Sequence, residues 1–204
     1  MTDTLAWICA LITVLVMLGY EAGLWLMQRR NPGRVARFAH VSLREDWFNT
    51  LSEHPGTEVL AVQTLRNSVM SATMTASTAV LGLIGSVTLA APGLSTVPHF
   101  TVRVALELLL MATLFASLVS SAMSIRYYNH AGFIASMPPG SEARKRWAAP
   151  ALLYLRRAGL LYSWGLRHLI LVAPLLASIV HPLAGPVSAV LLVPVLLRFD
   201  RFGS

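Results

Sequence analysis

The sequence has little charge and almost no cysteine. Charged side chains make up 12% of the 204 residues and hydrophobic side chains 55%, and the mean hydropathy is +0.63. A soluble domain carries roughly twice as much charge, so the composition excludes an ordinary soluble protein and indicates an integral membrane protein. The single cysteine, Cys9, excludes an internal disulfide and a thiolate zinc site, and we interpret it as a small buried hydrophobe.

Catalytic and cofactor-binding motifs are also missing from the sequence. It contains no nucleophile elbow, no P-loop and no G-x-G-x-x-G pattern, and its six histidines show neither the H-E-x-x-H nor the H-x-x-E-H spacing. We therefore expect no enzyme activity, no cofactor and no metal site. A haem held between facing helices by a histidine such as His168 is kept as an alternative. The first apolar run follows no cationic leader and precedes no A-x-A site, so we interpret it as a retained helix.

Long apolar runs predict an all-α, polytopic transmembrane helical bundle of about five spans, forming a single membrane domain over residues 1–204. The predicted spans are about 5–27, 67–90, 104–125, 159–180 and 184–197. "APG" at 91–93 is expected to close the second span. The fifth is short and contains Pro194, so it is either a tilted span or a re-entrant segment.

The distribution of positive charge predicts the orientation. Most of the 16 lysines and arginines fall within residues 28–66 and 126–158, the two predicted inner loops. The positive-inside rule then places these loops and the C-terminus in the cytoplasm and the N-terminus outside, which favours an odd number of spans. Topology alone explains the formal net charge of +7, so no nucleic acid is expected. The expected partners are the lipid bilayer and its anionic headgroups.

The first inner loop contains a helix signal. Ser42 and Glu45 have the spacing of a capping box, and Pro55 marks the end of the segment. We predict a short interfacial helix there, and a second helical pattern that starts at Thr57 and continues into the second span without a break. The predicted apolar face of the interfacial helix consists of Leu43, Trp47, Phe48 and Leu51.

Small and hydroxyl residues recur along the second span at alternating intervals of four and three. They are Thr64, Ser68, Ser71, Thr75, Thr78, Gly82 and Gly85, and the third span repeats the pattern at Thr113, Ser117, Ser120 and Ser124. Such a stripe is typical of close helix packing in lipid, between the second and third spans or between subunits. The same hydroxyls could instead line a wet path, with an arginine at its mouth that favours anions. The candidate path residues are Arg66, Asn67, Ser71, Thr75 and Thr78.

Charges inside the predicted spans indicate an ion pair. Glu21 and Arg167 lie at a similar depth, roughly 9–12 Å from the same side of the membrane at 1.5 Å per residue, and we predict that they pair. Arg103 and Glu107 are four residues apart and could pair along one helix face. A polar-aromatic cluster near the inner surface is either an aromatic belt or a gate or headgroup site; it consists of Arg126, Tyr127, Tyr128, Asn129 and His130.

Three stretches carry a family resemblance: "LAVQTLRNSVMSATMTAST" at 60–78, "SIRYYNHAGF" at 124–133 and "YSWGLRHLILVAPLL" at 162–176. They resemble the bacterial and plant membrane family catalogued as domain of unknown function 599, over nearly the whole chain. The resemblance implies a polytopic membrane protein and supplies no activity. The matching motif residues are Arg66, Asn67, Arg126, Asn129, His130 and Arg167.

These patterns leave three function hypotheses. The first is a homo-oligomeric channel or transport-like protein for a small, possibly anionic solute, with the second span at the pore or the subunit contacts. The second is a non-enzymatic accessory or scaffold subunit that contacts a partner membrane subunit. The third is a haem- or quinone-binding redox subunit.

Overall fold

The computed structural model describes residues 3–30, 36–96 and 100–200, and every regular element within those ranges is an α-helix. The six helices are α1 (Asp3–Arg30), α2 (Ala36–Glu53), α3 (Glu58–Thr96), α4 (Val102–Ala135), α5 (Glu142–Val180) and α6 (Ala184–Asp200). The all-α prediction is confirmed for this part of the chain.

Four of the helices are long and apolar enough to cross a membrane. They are α1, α4, α5 and residues 58–91 of α3, with mean hydropathy between 1.5 and 2.0 over their most apolar stretches. The first four predicted spans lie inside these helices. The sixth helix has 17 residues, about 25 Å at 1.5 Å per residue, which is shorter than the roughly 30 Å hydrocarbon core of a bilayer. The architecture is that of a multi-pass membrane protein.

The ends of two helices correct the sequence analysis. We expected "APG" at 91–93 to close the second span, but α3 continues through it to Thr96. A proline inside a helix removes one backbone donor and crowds the carbonyl four residues earlier, yet α3 continues for four residues beyond this proline. We also expected Ser42 to cap the interfacial helix, but α2 begins at Ala36 and Ser42 lies inside it.

The interfacial helix ends before Pro55, as predicted, at Glu53. The buried side of α2 carries Val41, Phe48 and Leu51, whereas Leu43 is 64% exposed. Of the four residues of the predicted apolar face, Phe48 and Leu51 are buried and Trp47 packs against the same core. Only Leu43 departs from the prediction. Between α2 and α3, Gly56 has a φ of 87°, a left-handed conformation that favours glycine.

The second predicted inner loop is mostly helical. Helices α4 and α5 occupy all of 126–158 except 136–141. The short turn contains "MPPG", and Gly140 has a φ of 78°. The Pro-Pro-Gly sequence lies in this turn, and the basic segment that follows it begins α5.

The chain divides into two compact units. Unit 1 comprises Met1–Ala36, Thr78–Ala116 and Arg167–Ser204, and unit 2 comprises Arg37–Ser77 and Ser117–Leu166, insofar as those ranges are described. Helix α1 packs against α6 in unit 1. Its core contains leucines of α4 and α5, among them Leu110, Leu114 and Leu175.

The core of unit 2 is built around alanines. Ala61, Ala131, Ala151 and Ala158 are each 0% exposed and pack around Phe48. Small side chains allow helices to approach closely without a hydrophobic driving force in lipid. Arg144 fixes the turn between α4 and α5, since its Nη1 donates to the carbonyl oxygens of Ala135 at 3.0 Å and Met137 at 2.6 Å. This satisfies carbonyls that the end of α4 leaves without a helical partner.

Candidate functional site

The predicted polar stripe on α3 follows the border between buried and exposed surface. Arg66, Asn67, Ser71 and Thr78 are exposed, and Thr75 is buried at 7% exposure. The stripe therefore does not present one uniform face. Part of it belongs to the packed interior of the chain, and part of it meets the surroundings of the protein.

Most of the described hydroxyls of α3 bond within the helix. The Ser71 hydroxyl donates to the carbonyl of Asn67 at 3.1 Å, and the Thr75 hydroxyl donates to the carbonyl of Ser71 at 3.1 Å. Such bonds satisfy a hydroxyl that faces lipid. Asn67 differs, because its exposed amide makes no hydrogen bond with any described residue. An amide side chain at this place needs water, a headgroup or another protein surface.

Two residues of the corresponding stripe on α4, Ser117 and Ser124, pack against α5 within unit 2. The Ser117 hydroxyl donates to the carbonyl of Gly165 at 2.7 Å, and the Ser124 hydroxyl donates to the carbonyl of Ala158 at 2.8 Å. A Cβ atom at Gly165 would overlap the hydroxyl of Ser121. These α4 hydroxyls, at 0% exposure, are interface groups that hold the third and fourth predicted spans together.

On α3, close packing with α4 occurs at one glycine of the stripe. An ideal Cβ atom at Gly82 would lie 3.0 Å from Cδ2 of Leu114 in unit 1. Gly85 has nothing within 4 Å of such an atom. The stripe thus joins α3 to α4 at Gly82 and leaves open surface at Gly85.

A group of charged and polar side chains lies inside unit 1. Arg167 of α5 forms an ion pair with Asp200 of α6, and the two side chains are 9% and 8% exposed. The Tyr20 hydroxyl of α1 donates to Oδ2 of Asp200 at 2.6 Å. One aspartate therefore ties α6 to both α1 and α5 through charge-assisted hydrogen bonds.

Glu21 lies beside this group. It is half-buried, it is within electrostatic range of both Arg167 and Asp200, and its Oε1 atom accepts no hydrogen bond within the described part of the chain. We predicted Glu21 as the partner of Arg167; the structure gives the arginine an ion pair with Asp200, and direct pairing with Glu21 stays a prediction. The sequence analysis missed Asp200 because it ended the fifth span at 197. The missed signal is that Asp200 is the only acid after Glu142.

The predicted ion pair between Arg103 and Glu107 is confirmed, with Nε and Oε1 at 2.9 Å. The arginine side chain is 70% exposed and the glutamate side chain 10% exposed. Because the arginine keeps most of its exposure, this half-exposed pair is a useful reference for the pair in which both side chains are buried.

The five residues of the inner-surface cluster separate into two groups. Tyr128 is a core residue at 3% exposure, whereas Arg126, Asn129 and His130 are exposed. Tyr127 stacks on Tyr154 of α5 with ring centroids 5.9 Å apart. The His130 ring lies 5.5 Å from that of Tyr154. The aromatic half of the cluster therefore packs α4 on α5. The two predicted roles, an aromatic belt and a gate or headgroup site, stay predictions.

Two of the family-motif residues meet at a cavity in unit 2. Arg66 of α3 and Asn129 of α4 line an open cavity of about 400 Å³, together with apolar side chains such as Val69 and Phe133. The sequence placed these residues in separate motifs, and the packing of α3 on α4 brings them together. Their guanidinium and amide groups can both donate hydrogen bonds to an oxygen-rich solute.

Among the described residues, no group of three or more histidine, cysteine, aspartate or glutamate side chains could hold a metal ion. Cys9 is free and buried, as we interpreted it. His99, one of the six histidines, lies outside the described residues.

Comparison with known families agrees with the resemblance seen in the sequence. The family described as "Protein of unknown function, DUF599" matches residues 8–204. The chain belongs to this family. No curated protein and no solved structure gives a significant match.

Proposed function

We propose that the protein is a homo-oligomeric, transport-like protein of a bacterial inner membrane, acting on a small anionic solute. The observation that carries the proposal is the exposure of α3. Only 17% of its most apolar stretch is buried, against 28% in α1 and α4 and 39% in α5. The exposed surface carries Asn67 and Ser71 beside Met70 and Met74. Small and polar positions of this kind are where helices associate in lipid.

The charge group of unit 1 supports transport over a purely structural role. A structural ion pair needs one carboxylate for one guanidinium, and here Glu21 stands beside the Arg167–Asp200 pair as a second carboxylate. Ionisable side chains within membrane spans are costly and mark ion or proton pathways in many transporters. Glu21 is half-buried rather than sealed, which suits a group that exchanges a proton.

The proposal of an anionic solute rests on Arg66. It is exposed at the end of the stripe and lines a cavity with Asn129. Arginine at a pore or cavity mouth favours anions. Within this proposal the chain spans the membrane five times, with α6 as the last span, the N-terminus outside and the C-terminus in the cytoplasm, since this arrangement keeps the basic segments on one side.

The test is flux in liposomes. Purified protein is reconstituted, and the uptake of a small anion is compared with that of a cation of similar size. We expect Arg66→Ala to lower the ratio of anion to cation flux severalfold while leaving the helical circular dichroism unchanged. Arg146→Ala, at an exposed arginine of α5, is the matched control. Unchanged selectivity in Arg66→Ala, or equal changes in both variants, argues against the proposal.

A second candidate is an accessory or scaffold subunit without transport activity. The α4–α5 contact favours it, because Ser117 and Ser124 use their hydroxyls to seal two helices. This candidate predicts no flux above that of empty liposomes, together with co-purification of a partner membrane subunit.

A further inference from the structure

A second cavity of unit 2, of about 280 Å³, collects hydrogen-bond donors in an otherwise apolar setting. Arg44 and Trp47 of α2, Thr64 and Ser68 of α3 and Tyr128 of α4 line it. The other lining residues are the leucines Leu43, Leu65 and Leu155, so none of the described residues that line this cavity is a carboxylate. A cavity with several donors and no anion among its described walls is suited to an anionic ligand.

Arg44 is held in place at this cavity. It is half-buried, and its Nη1 donates to the carbonyl of His40 at 3.2 Å. Its guanidinium lies against Gly159 of α5, where any Cβ atom would overlap it. The absence of a side chain at Gly159 leaves the space that the Arg44 guanidinium occupies, and a larger residue at this position would displace the guanidinium.

The Arg44 guanidinium has no ion-pair partner within the described part of the chain, unlike Arg103, Lys145 and Arg167. A partly desolvated guanidinium without a counter-charge is unfavourable. An anion in the cavity would supply the missing charge and two acceptor oxygens in the geometry that a guanidinium prefers.

Tyr128 adds a hydroxyl to the same cavity. Its side chain is 3% exposed, and it lines the cavity together with Ser68 and Arg44. A phenolic hydroxyl can donate a hydrogen bond to an oxygen of a bound ligand. Three helices thus contribute donors to one cavity.

The walls of the cavity indicate the rest of the ligand. Leu65 and Leu155 are buried, and Leu43 is 64% exposed beside them. An exposed leucine on a helix predicted to lie at the membrane interface offers a path for an apolar chain. The cavity therefore fits an oxyanion attached to an apolar body.

We propose that the Arg44 cavity binds a phosphate group, with Arg44, Tyr128 and Ser68 as its donors. The phosphate can belong to an anionic lipid headgroup or to a free phosphate compound, and the chemistry of recognition is the same. Leu65 and Tyr128 line both this cavity and the Arg66 cavity, whereas Arg44 lines only this one and Arg66 only the other. Variants of Arg44 and of Arg66 therefore test the two proposals separately.

The test measures ligand-induced shifts of the thermal unfolding midpoint of the detergent-purified chain. Three probes are titrated at equal ionic strength: a short-chain phosphatidylglycerol, phosphatidylcholine with the same chains, and inorganic phosphate. We expect the phosphatidylglycerol to raise the midpoint at lower concentration than the phosphatidylcholine. Arg44→Gln should weaken its apparent Kd about tenfold or more, since a charge-assisted hydrogen-bond pair is lost.

Arg146→Gln is the control, because it removes the same charge from an exposed site that does not line the cavity. If inorganic phosphate alone reproduces the shift and its dependence on Arg44, the site is upheld and the source is a free phosphate. Equal weakening by Arg44→Gln and Arg146→Gln overturns the proposal, as does the lack of any shift. If Arg44→Gln does not fold, Arg44→Lys and Tyr128→Phe replace it, and each must weaken binding more than the control.

Discussion

Removing Asp200 should destabilise the protein far more than breaking the exposed ion pair at Arg103. Arg167 and Asp200 are buried and paired, and Tyr20 donates to the same carboxylate at 2.6 Å. Breaking a buried ion pair by removing one partner costs about 3–5 kcal/mol. Glu21 lies close enough to take up part of the charge of Arg167, so we expect the lower end of that range for Asp200→Asn, about 3 kcal/mol.

The matched control is Glu107→Gln. Glu107 is 10% exposed, but its partner Arg103 is 70% exposed, and we expect an ion pair with one exposed partner to contribute about 0.5 kcal/mol or less. For a chain of this size, 1 kcal/mol corresponds to about 2–4 °C in the thermal midpoint. We therefore expect Asp200→Asn to lower the midpoint by about 6–12 °C and Glu107→Gln to lower it by about 2 °C or less.

The assay is thermal unfolding in detergent, followed by circular dichroism for each variant. Tyr20→Phe removes one charge-assisted hydrogen bond and should cost about 1.5–3 kcal/mol. Glu21→Gln should cost less than Asp200→Asn, because Oε1 of Glu21 accepts no hydrogen bond among the described residues. Equal midpoints for Asp200→Asn and Glu107→Gln would refute the reasoning. A larger loss in Glu21→Gln than in Asp200→Asn would restore the pairing predicted from the sequence.

Two further predictions follow from the packing of unit 2. Gly165→Ala should destabilise the protein by about 1–3 kcal/mol through overpacking, because the added Cβ would overlap the hydroxyl of Ser121. The control is Gly132→Ala, since a Cβ at Gly132 would have nothing within 4 Å. Gly132→Ala should leave the thermal unfolding midpoint unchanged or slightly raised. Arg144→Gln should also cost about 1.5–3 kcal/mol, since it removes charge-assisted hydrogen bonds to the end of α4. Hydrogen exchange should then rise first in residues 131–137, and a midpoint equal to that of Arg146→Gln would contradict the assigned role of Arg144.

Much of the fold could be predicted from apolar run length. A helix in lipid must satisfy its backbone internally, so a run of about 20 apolar residues leaves few alternatives. The helical pattern through Thr57 into the second span also proved sufficient to predict that α3 is long. The predictions that failed relied on signals of one to three residues, namely Ser42 as a helix cap and "APG" as a helix end. Such signals compete with packing along the rest of a long helix, and packing prevails.

The candidate sites were harder to predict. The alternating spacing of small residues identified interface positions, but the spacing alone does not say which helix they contact. In the structure, Ser117 and Ser124 contact α5. Depth along the helices placed Glu21 near Arg167, but it could not reveal the competing carboxylate of Asp200. The cavity shared by Arg66 and Asn129 depends on how α3 and α4 pack, which no local pattern contains.

The central claim is that the exposed surface of α3 forms the contact between copies of this chain. The most direct test is the native mass of the detergent-purified protein, compared between the unaltered chain, Ser71→Trp and Val119→Trp. Ser71 is an exposed small residue on α3, and Val119 is 44% exposed on α4. The account predicts a closed oligomer that Ser71→Trp dissociates and Val119→Trp leaves intact. A monomeric unaltered chain, or an oligomer that survives Ser71→Trp, contradicts it.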